Sequence, residues 1–150
     1  MKPMLTFLLL TSFYTFCNAQ TPQDMVKKFF EIYKQGDTDK ALDYIFSNNP
    51  YMKEESSIEN LEDVKRQVKK ASSQIGKFFG ADLLATKSAG PNVLMLTYIA
   101  RHDRQPLIFS LMFYRPDKTW QMQNFKFGSA LDEELEEASK TYRLKENIPN

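Results

Sequence analysis

Thiol and imidazole side chains are nearly missing from this chain, which has one cysteine and one histidine among its 150 residues. The cysteine, Cys17, lies in an N-terminal stretch that has the pattern of an export signal, so the domain that follows it has no thiol. A domain without cysteine forms no disulfide, no thiolate nucleophile and no cysteine-ligated metal site. We therefore expect no cofactor and no metal, and a stability that comes from an apolar core.

The sequence also has no apolar run of the ~20 residues that a membrane-spanning helix needs. The apolar run Met4–Phe16 is broken by hydroxyl residues, follows the basic Lys2 and ends just before a small residue, Ala19. This pattern predicts a signal peptide over residues 1–19, cleaved after Ala19, and an exported protein that is periplasmic or extracellular. A lipid anchor on Cys17 is the alternative, and the bulky residues just before that cysteine disfavour it.

Neither sign of charge is in excess. Removal of residues 1–19 takes away Lys2 and no acid, so 19 basic residues then balance 19 acidic ones. A chain without net positive charge does not attract nucleic acid or anionic lipid over a long range, and we expect neither as a partner. One basic group lies on a predicted helix beside acidic residues, and we interpret it as a solvated face, with an anion site as the alternative. Its members are Lys65, Arg66, Lys69 and Lys70.

Three helices are predicted in the first half of the domain from apolar residues that recur every three or four positions. Thr21 and Asp24 have capping-box spacing at the start of the first helix. Ser56 and Glu59 have the same spacing at the start of the third. The predicted bounds are Pro22 to Gly36, Asp37 to Phe46, and Ser56 to Gly76 or Gly80.

After Gly80 the apolar period changes to two, which predicts four strands with short connections. Their sequences are ADLLATKSA, NVLMLTYIAR, PLIFSLMFYR and WQMQNFKF. In the last strand Met122 and Phe125 fall on opposite parities, so we predict a bulge at Gln123-Asn124 that bends the sheet. Helices followed by strands indicate one α+β domain, in which three N-terminal helices pack on a curved antiparallel sheet of about four strands.

The segment Arg101-His102-Asp103-Arg104 is the densest group of reactive side chains. A loop over residues 102–105 would pair Ala100 with Leu107 and Tyr98 with Phe109, and one hairpin face would then be almost wholly apolar. This register puts His102 at an exposed tip, without a partner to fix its tautomer and without a cleft. We interpret the segment as a turn, and expect His102→Ala to change stability by less than ~0.5 kcal/mol.

The order of three helices and a curved sheet ending in WQMQNFKF resembles the nuclear transport factor 2-like (cystatin-like α+β cone) superfamily over about residues 22–131. The segments VKKFFEIYKQGDTDKALDYIF and PLIFSLMFYRPDKTWQMQNFKF resemble small exported bacterial members with no assigned activity. The domain is then residues 20–131, followed by an acidic C-terminal helix or tail over 132–150. The resemblance implies a cone-shaped fold with a pocket between the helices and the concave face of the sheet. The positions that match this pocket are Phe30, Tyr33, Tyr98, Phe109, Leu111, Phe113, Trp120, Phe125 and Phe127.

Enzymatic members of that superfamily, such as the ketosteroid isomerases, place an acidic base and hydroxyl or acid donors inside the cavity. Here the inward candidates are Tyr33 and Tyr98, helped by Asp82 or Asn124. We therefore predict a non-catalytic exported domain that binds a small apolar ligand or a protein partner. Two alternatives stay open: a cofactor-free isomerase or lyase acting on a small hydrophobic substrate in the cone, and a purely structural homodimeric module.

The second face of the central hairpin is too apolar for a surface simply turned to water. The three predicted helices cannot cover both faces of one sheet, and the resemblance implies a homodimer through this one. The predicted interface consists of Val93, Met95, Ile99, Ile108, Met112 and Tyr114.

Overall fold

The computed structural model describes residues 20–132 and 135–136, where the chain forms three α-helices followed by a four-stranded antiparallel sheet. The α+β class and the order of elements are therefore as predicted. The predicted signal peptide and nearly all of the predicted C-terminal segment lie outside these residues. The elements are α1 (Pro22–Lys34), α2 (Thr38–Phe46), a 3₁₀ turn (Pro50–Lys53), α3 (Glu55–Ile75), β1 (Phe78–Ser88), β2 (Val93–His102), β3 (Leu107–Tyr114) and β4 (Gln121–Gly128).

The start of α1 is the predicted capping box. The Thr21 hydroxyl oxygen accepts from the Asp24 backbone N–H at 3.2 Å, and the Asp24 carboxylate accepts from the Thr21 N–H at 3.4 Å. The start of α3 differs from the prediction. This helix begins at Glu55, after the 3₁₀ turn, and its N-cap Glu54 makes no side-chain hydrogen bond. Ser56 is thus already inside the first turn, so the predicted box with Glu59 does not form.

The four strands lie in the order β1-β2-β3-β4, and the predicted register of the central hairpin is confirmed. Ala100 is opposite Leu107 and Tyr98 is opposite Phe109. In β4 the ladder passes from Asn124 directly to Met122, which places the bulge at Gln123 and confirms that prediction. One face of this sheet carries the aromatic and aliphatic residues that meet α1 and α2 to form the core. No helix among the described residues is long and apolar enough to cross a membrane.

The basic group of α3 is a solvated face, as interpreted, at Arg66, Lys69 and Lys70, which are exposed, but not at Lys65. Lys65 lies against α2, and the residue is only 9% exposed. The Nζ atom lies 2.6 Å from a carboxylate oxygen of Asp43 and 2.6 Å from one of Glu62. Because Asp43 belongs to α2, this ion pair joins the second and third helices. Arg66 and Lys69 also have carboxylate partners, Asp63 and Asp39.

The turn between β2 and β3 is bound to the end of α3. The Arg104 backbone N–H donates to the carbonyl of Ile75 at 3.0 Å, and its guanidinium donates to the carbonyl of Gln74 at 3.0 Å. The Asp103 carboxylate accepts from the Lys77 backbone N–H at 2.9 Å. Cationic groups at a helix C-terminus are favourable because the last carbonyls have no partner within the helix. The turn is therefore a structural joint between the hairpin and α3, not a free tip.

Gly76→Ala is expected to destabilise the protein by about 1–2 kcal/mol, because only glycine readily adopts such a backbone conformation. Gly76 has φ 84° and ψ −158°. A Cβ there would also lie 3.0 Å from the Cβ of Asp103, inside the joint. Urea unfolding measures the loss. Gly36→Ala is the comparison at a similar φ, since Gly36 has φ 85° and nothing lies within 4 Å of an added Cβ. A loss below ~0.5 kcal/mol in Gly76→Ala would contradict the requirement for glycine.

Candidate ligand-binding site

A pocket of about 440 Å³ opens where α1 and α3 end, next to the first residue of β1 and the last residue of β2. Its volume is within the range of ~300–1,000 Å³ that small-molecule sites occupy. The lining combines three rings (Tyr33, Phe78, His102), three hydroxyls (Thr38, Ser72, Ser73) and three lysines (Lys34, Lys69, Lys77). A second pocket, of about 200 Å³, lies beside Ile108 and Lys126 and is below that range.

His102 lies in the wall of the larger pocket, so its predicted position at an exposed tip is wrong. The strand β2 continues through His102, which pairs with Phe78 of β1 and is 8% exposed. The error has a physical cause: β1 begins before Gly80, and the joint with α3 draws the end of β2 inward. The signal was present, because His102 has the same parity as Tyr98 and Ala100 on the face that meets the helices.

Two hydrogen bonds fix the tautomer of His102. Its Nδ1 lies 3.2 Å from the carbonyl oxygen of Ala100, and its Nε2 lies 3.2 Å from the hydroxyl of Tyr33. Because a carbonyl can only accept, Nδ1 carries the proton, and the neutral ring accepts from the Tyr33 O–H through Nε2. Burial lowers the pKa of His102, opposed by smaller effects of the Ala100 carbonyl and the Asp103 charge. The imidazole is therefore held neutral at physiological pH.

Tyr33 is the second buried polar residue of this wall. It lies in the last turn of α1 and is 4% exposed. Burial raises the pKa of its phenol, and the nearby Ser72 hydroxyl acts weakly in the opposite direction. The Tyr33 ring is perpendicular to that of Phe78 at 5.0 Å between centroids, and Phe78 lies 5.3 Å from the His102 ring. Tyr33, Phe78 and His102 thus form one aromatic wall.

The serine hydroxyls of the pocket already donate hydrogen bonds to backbone carbonyls of α3. Ser72 Oγ donates to the carbonyl of Val68, and Ser73 Oγ donates to that of Lys70 at 2.8 Å. What they offer to a ligand is therefore lone pairs, not protons. The lining lysines supply the cationic groups, and no acid among the residues that the structure describes lines the pocket, although Asp39 pairs with Lys69 at 3.4 Å.

Of the nine residues that the superfamily resemblance matched to a pocket, only Tyr33 lines this one. The other eight belong to the core or pack against it: Phe30, Tyr98, Phe109, Leu111, Phe113, Trp120, Phe125 and Phe127. Phe109, Leu111 and Phe113 are fully buried. The rings therefore pack on one another in the centre of the domain, and the pocket lies at its end.

Asp82 and Asn124 were expected to help an inward acid-base site, and the structure places both on the opposite face of the sheet. Asp82 is opposite Ile99, and its carboxylate lies 2.7 Å from the Nε of Arg101. Asn124 is opposite Met112 and exposed. Neither side chain is available to a site between the helices and the sheet. Within residues 20–132 and 135–136, no group of three or more His, Cys, Asp or Glu could hold a metal ion.

The predicted interface residues do share this second face, as the register of β2 and β3 requires. Val93 is opposite Tyr114, Met95 is opposite Met112, and Ile99 is opposite Ile108. Ile108 is buried, Tyr114 is exposed, and the other four are half-buried. At the centre, the hydroxyls of Thr97 and Ser110 lie 3.4 Å apart.

Comparison with models of protein families, with curated proteins and with solved structures found no match to this chain.

Proposed function

We propose that this protein is an exported, non-catalytic domain that binds a small, largely apolar molecule in the pocket at the ends of α1 and α3. The observation that carries the proposal is the aromatic wall of Tyr33, Phe78 and His102, with its hydrogen-bonded polar pair facing a space of about 440 Å³. A small number of placed polar groups in an apolar concavity is the usual composition of a ligand site. Export rests on the predicted signal peptide over residues 1–19.

We further propose that the domain is a member of the nuclear transport factor 2-like superfamily and has its cone shape. The support is the succession of three helices and an antiparallel meander. Bulges bend strands, and the ladders are irregular at Phe78/Gly80 and Leu83/Ala85 in β1 and at Gln123 in β4.

Binding of small aromatics can be followed on a single signal, because the chain has one histidine. Titration of the isotope-labelled protein with indole or para-cresol is expected to shift the His102 imidazole resonances and to leave the indole resonance of Trp120, which does not line the pocket, in place. Ser73→Trp should fill the pocket and abolish the shift. Ser88→Trp, at an exposed serine on β1, is the matched control and should retain it. If no probe shifts His102 up to its solubility limit, the binding proposal is wrong.

A second candidate is a cofactor-free isomerase or lyase, which the Tyr33–His102 hydrogen bond favours. A neutral imidazole in a buried site can act as a base, and a phenol of raised pKa remains a proton donor. In this mechanism a substrate carbonyl replaces His102 as the acceptor of the Tyr33 O–H hydrogen bond. Nε2 of His102 is then free to act as the base. Exchange of α-protons of a bound ketone for solvent deuterium would support it. Exchange that persists in His102→Gln would exclude His102 as the base.

We also propose a homodimer through the second sheet face. The apolar centre, contributed by β2 and β3, is flanked on this face by Asp82 and Lys87 of β1 and by Lys126 of β4, and Asp82 already pairs with Arg101. A twofold axis parallel to the strands would set β1 of one copy against β4 of the other, so that the two apolar centres meet. A purely structural homodimeric module remains the alternative if the pocket binds nothing.

Met112→Lys is expected to give a monomer, because a twofold interface places each introduced charge near its symmetry mate and removes it from water. Sedimentation velocity measures the change, and the helical circular dichroism signal should survive. Thr119→Lys, in the exposed β3–β4 loop, is the control with the same added charge and should leave the dimer intact. A monomeric wild-type protein at high micromolar concentration would contradict the dimer.

A further inference from the structure

We propose that the ligand of this pocket is a small aromatic carboxylate that carries a hydrogen-bond donor, such as a hydroxyl, on the side of the ring opposite its carboxylate. This inference rests on the proposed ligand-binding function and specifies its chemistry. Three parts of the lining support it: the aromatic wall, the acceptors at the buried end and the lysines at the exposed end.

The aromatic wall favours a planar ring. Tyr33 and Phe78 meet edge to face, and the His102 ring is tilted against Phe78. Aromatic pairs prefer such offset or perpendicular arrangements at centroid distances of ~4.5–7 Å, and each gains energy beyond the burial of area. A ligand ring placed in the pocket can make the same contacts with this wall.

The buried end of the pocket accepts hydrogen bonds more readily than it donates them. The Tyr33 proton is directed to Nε2 of His102, and the His102 proton is directed to the carbonyl of Ala100. The Ser72 proton is directed to the carbonyl of Val68. Tyr33 Oη and Ser72 Oγ are neighbours. The lone pairs that they do not share with each other can accept from a ligand, so the complementary ligand group is an O–H or N–H.

The exposed end presents ammonium groups. Lys34 follows Tyr33 at the end of α1, and Lys77 precedes Phe78, so each lies next in sequence to a residue of the wall. In the part of the chain that the structure describes, neither Lys34 nor Lys77 has an ion pair, whereas Lys69 pairs with Asp39. The Lys77 ammonium lies 5.8 Å from the centroid of the Phe79 ring. An anionic ligand group here would meet two cations that no carboxylate of the described residues neutralises.

Four features nearby carry negative charge, and each pairs with a cation or accepts a hydrogen bond. Asp39 pairs with Lys69, and Asp103 accepts from the Lys77 backbone N–H. The C-terminal ends of α1 and α3, each equivalent to roughly half a negative charge, also face the pocket. Their carbonyls accept from the Gln35 and Gly36 N–H groups and from Arg104. Among the described residues, the charged side chains that line the pocket itself are its three lysines.

The experiment compares four probes that differ by one group at a time: para-hydroxyphenylacetate, phenylacetate without the hydroxyl, para-cresol without the carboxylate, and tyramine with a cation in its place. Dissociation constants come from the His102 imidazole shift at low salt. We expect para-hydroxyphenylacetate to bind at least about tenfold more tightly than para-cresol, which is ~1.4 kcal/mol. It should also bind severalfold more tightly than phenylacetate, and tyramine should bind most weakly.

Two double variants distinguish the effect of the pocket lysines on affinity from the effect of the protein's net charge. Lys34→Met combined with Lys77→Met should remove the preference for the carboxylate. Lys53→Met combined with Lys87→Met removes the same charge at exposed positions outside the pocket and should retain the preference.

Each outcome bears on a different claim. Equal affinities for para-hydroxyphenylacetate and para-cresol, or tighter binding of tyramine, would overturn the anionic ligand and leave ligand binding intact. Equal affinities for para-hydroxyphenylacetate and phenylacetate would overturn the donor. No shift of His102 with any of the four probes would overturn both this inference and the proposed function.

Discussion

Phe109→Ala is expected to cost about 3–5 kcal/mol in the free energy of unfolding, because it removes a large buried ring and leaves a cavity that its neighbours fill only in part. Phe109 is 0% exposed. Its ring lies 5.7 Å from that of Phe30, 6.0 Å from that of Phe29 and 5.7 Å from that of Phe125. It therefore joins α1, β3 and β4 in one cluster. Denaturant unfolding followed by circular dichroism measures the loss.

The matched control for this variant is Phe79→Ala, which removes the same ring from an exposed site on β1. Phe79 is 49% exposed, so its loss should stay below ~1 kcal/mol. Domains of this kind have only ~5–15 kcal/mol of stability in total, so Phe109→Ala can unfold. Phe109→Leu keeps part of the buried volume and should lose less than Phe109→Ala. Similar losses at positions 79 and 109 would contradict the position of Phe109 in the core.

The parts of the fold that the sequence predicts correctly are those set by local chemistry. The capping box of Thr21 and Asp24 needs only residues three apart in the chain. The hairpin register follows from alternation, because a slip by one residue would turn Leu111 and its neighbours to the opposite face. The bulge at Gln123 follows from a change of parity within one strand. In each case the decisive residues lie within a few positions of one another.

Two of the wrong expectations, those for Lys65 and His102, involve contacts between distant segments. Lys65 is buried because Asp43 of α2 reaches it, and a helical pattern cannot show which helix lies alongside. The Ser56 and Glu59 spacing was a valid local signal, but the chain enters α3 from a 3₁₀ turn that starts the helix earlier. His102 is buried because Arg104 binds the carbonyl of Gln74, a partner 30 residues away.

The candidate pocket could not be predicted either, because it too is formed by residues that are distant in the sequence. Its walls come from three segments that are far apart in the sequence: residues 33–38 at the end of α1, residues 69–78 from the end of α3 to the start of β1, and His102 at the end of β2. The aromatic residues matched through the superfamily resemblance identified the region between helices and sheet. They could not indicate which rings would fill the centre and which, like Tyr33, would line a space at its end.

His102→Ala is now expected to destabilise the protein by about 2–3 kcal/mol, instead of less than ~0.5 kcal/mol. The variant removes the acceptor of the buried Tyr33 hydroxyl, which costs ~1–3 kcal/mol when the group is left without a partner. It also removes ring contacts with Tyr33 and Phe78, at 5.9 and 5.3 Å between centroids. Urea unfolding at neutral pH measures the loss. A change within ~0.5 kcal/mol of wild type would restore the interpretation of this segment as an ordinary surface turn.

His102 should also make the stability of the folded protein depend on pH. Burial lowers the pKa of His102 in the folded protein, whereas the unfolded chain has an ordinary value of about 6.5. The unfolded state therefore binds more protons as the pH falls through 6.5, and the free energy of unfolding decreases until the pH passes below the folded pKa. Tyr33, which faces His102, stays neutral in this range because burial raises the pKa of its phenol. The charged side chains around His102 are Asp103 and the three lysines of the pocket.

The control is His102→Gln, whose side-chain oxygen can still accept from Tyr33 but does not titrate. Between about pH 7 and 5.5, above the ordinary range of carboxylates, unfolding measurements should show a slope in the wild type that is absent in His102→Gln. The same slope in both proteins would mean that His102 is as accessible to protons when folded as when unfolded, and that the Tyr33–His102 pair does not hold the ring neutral.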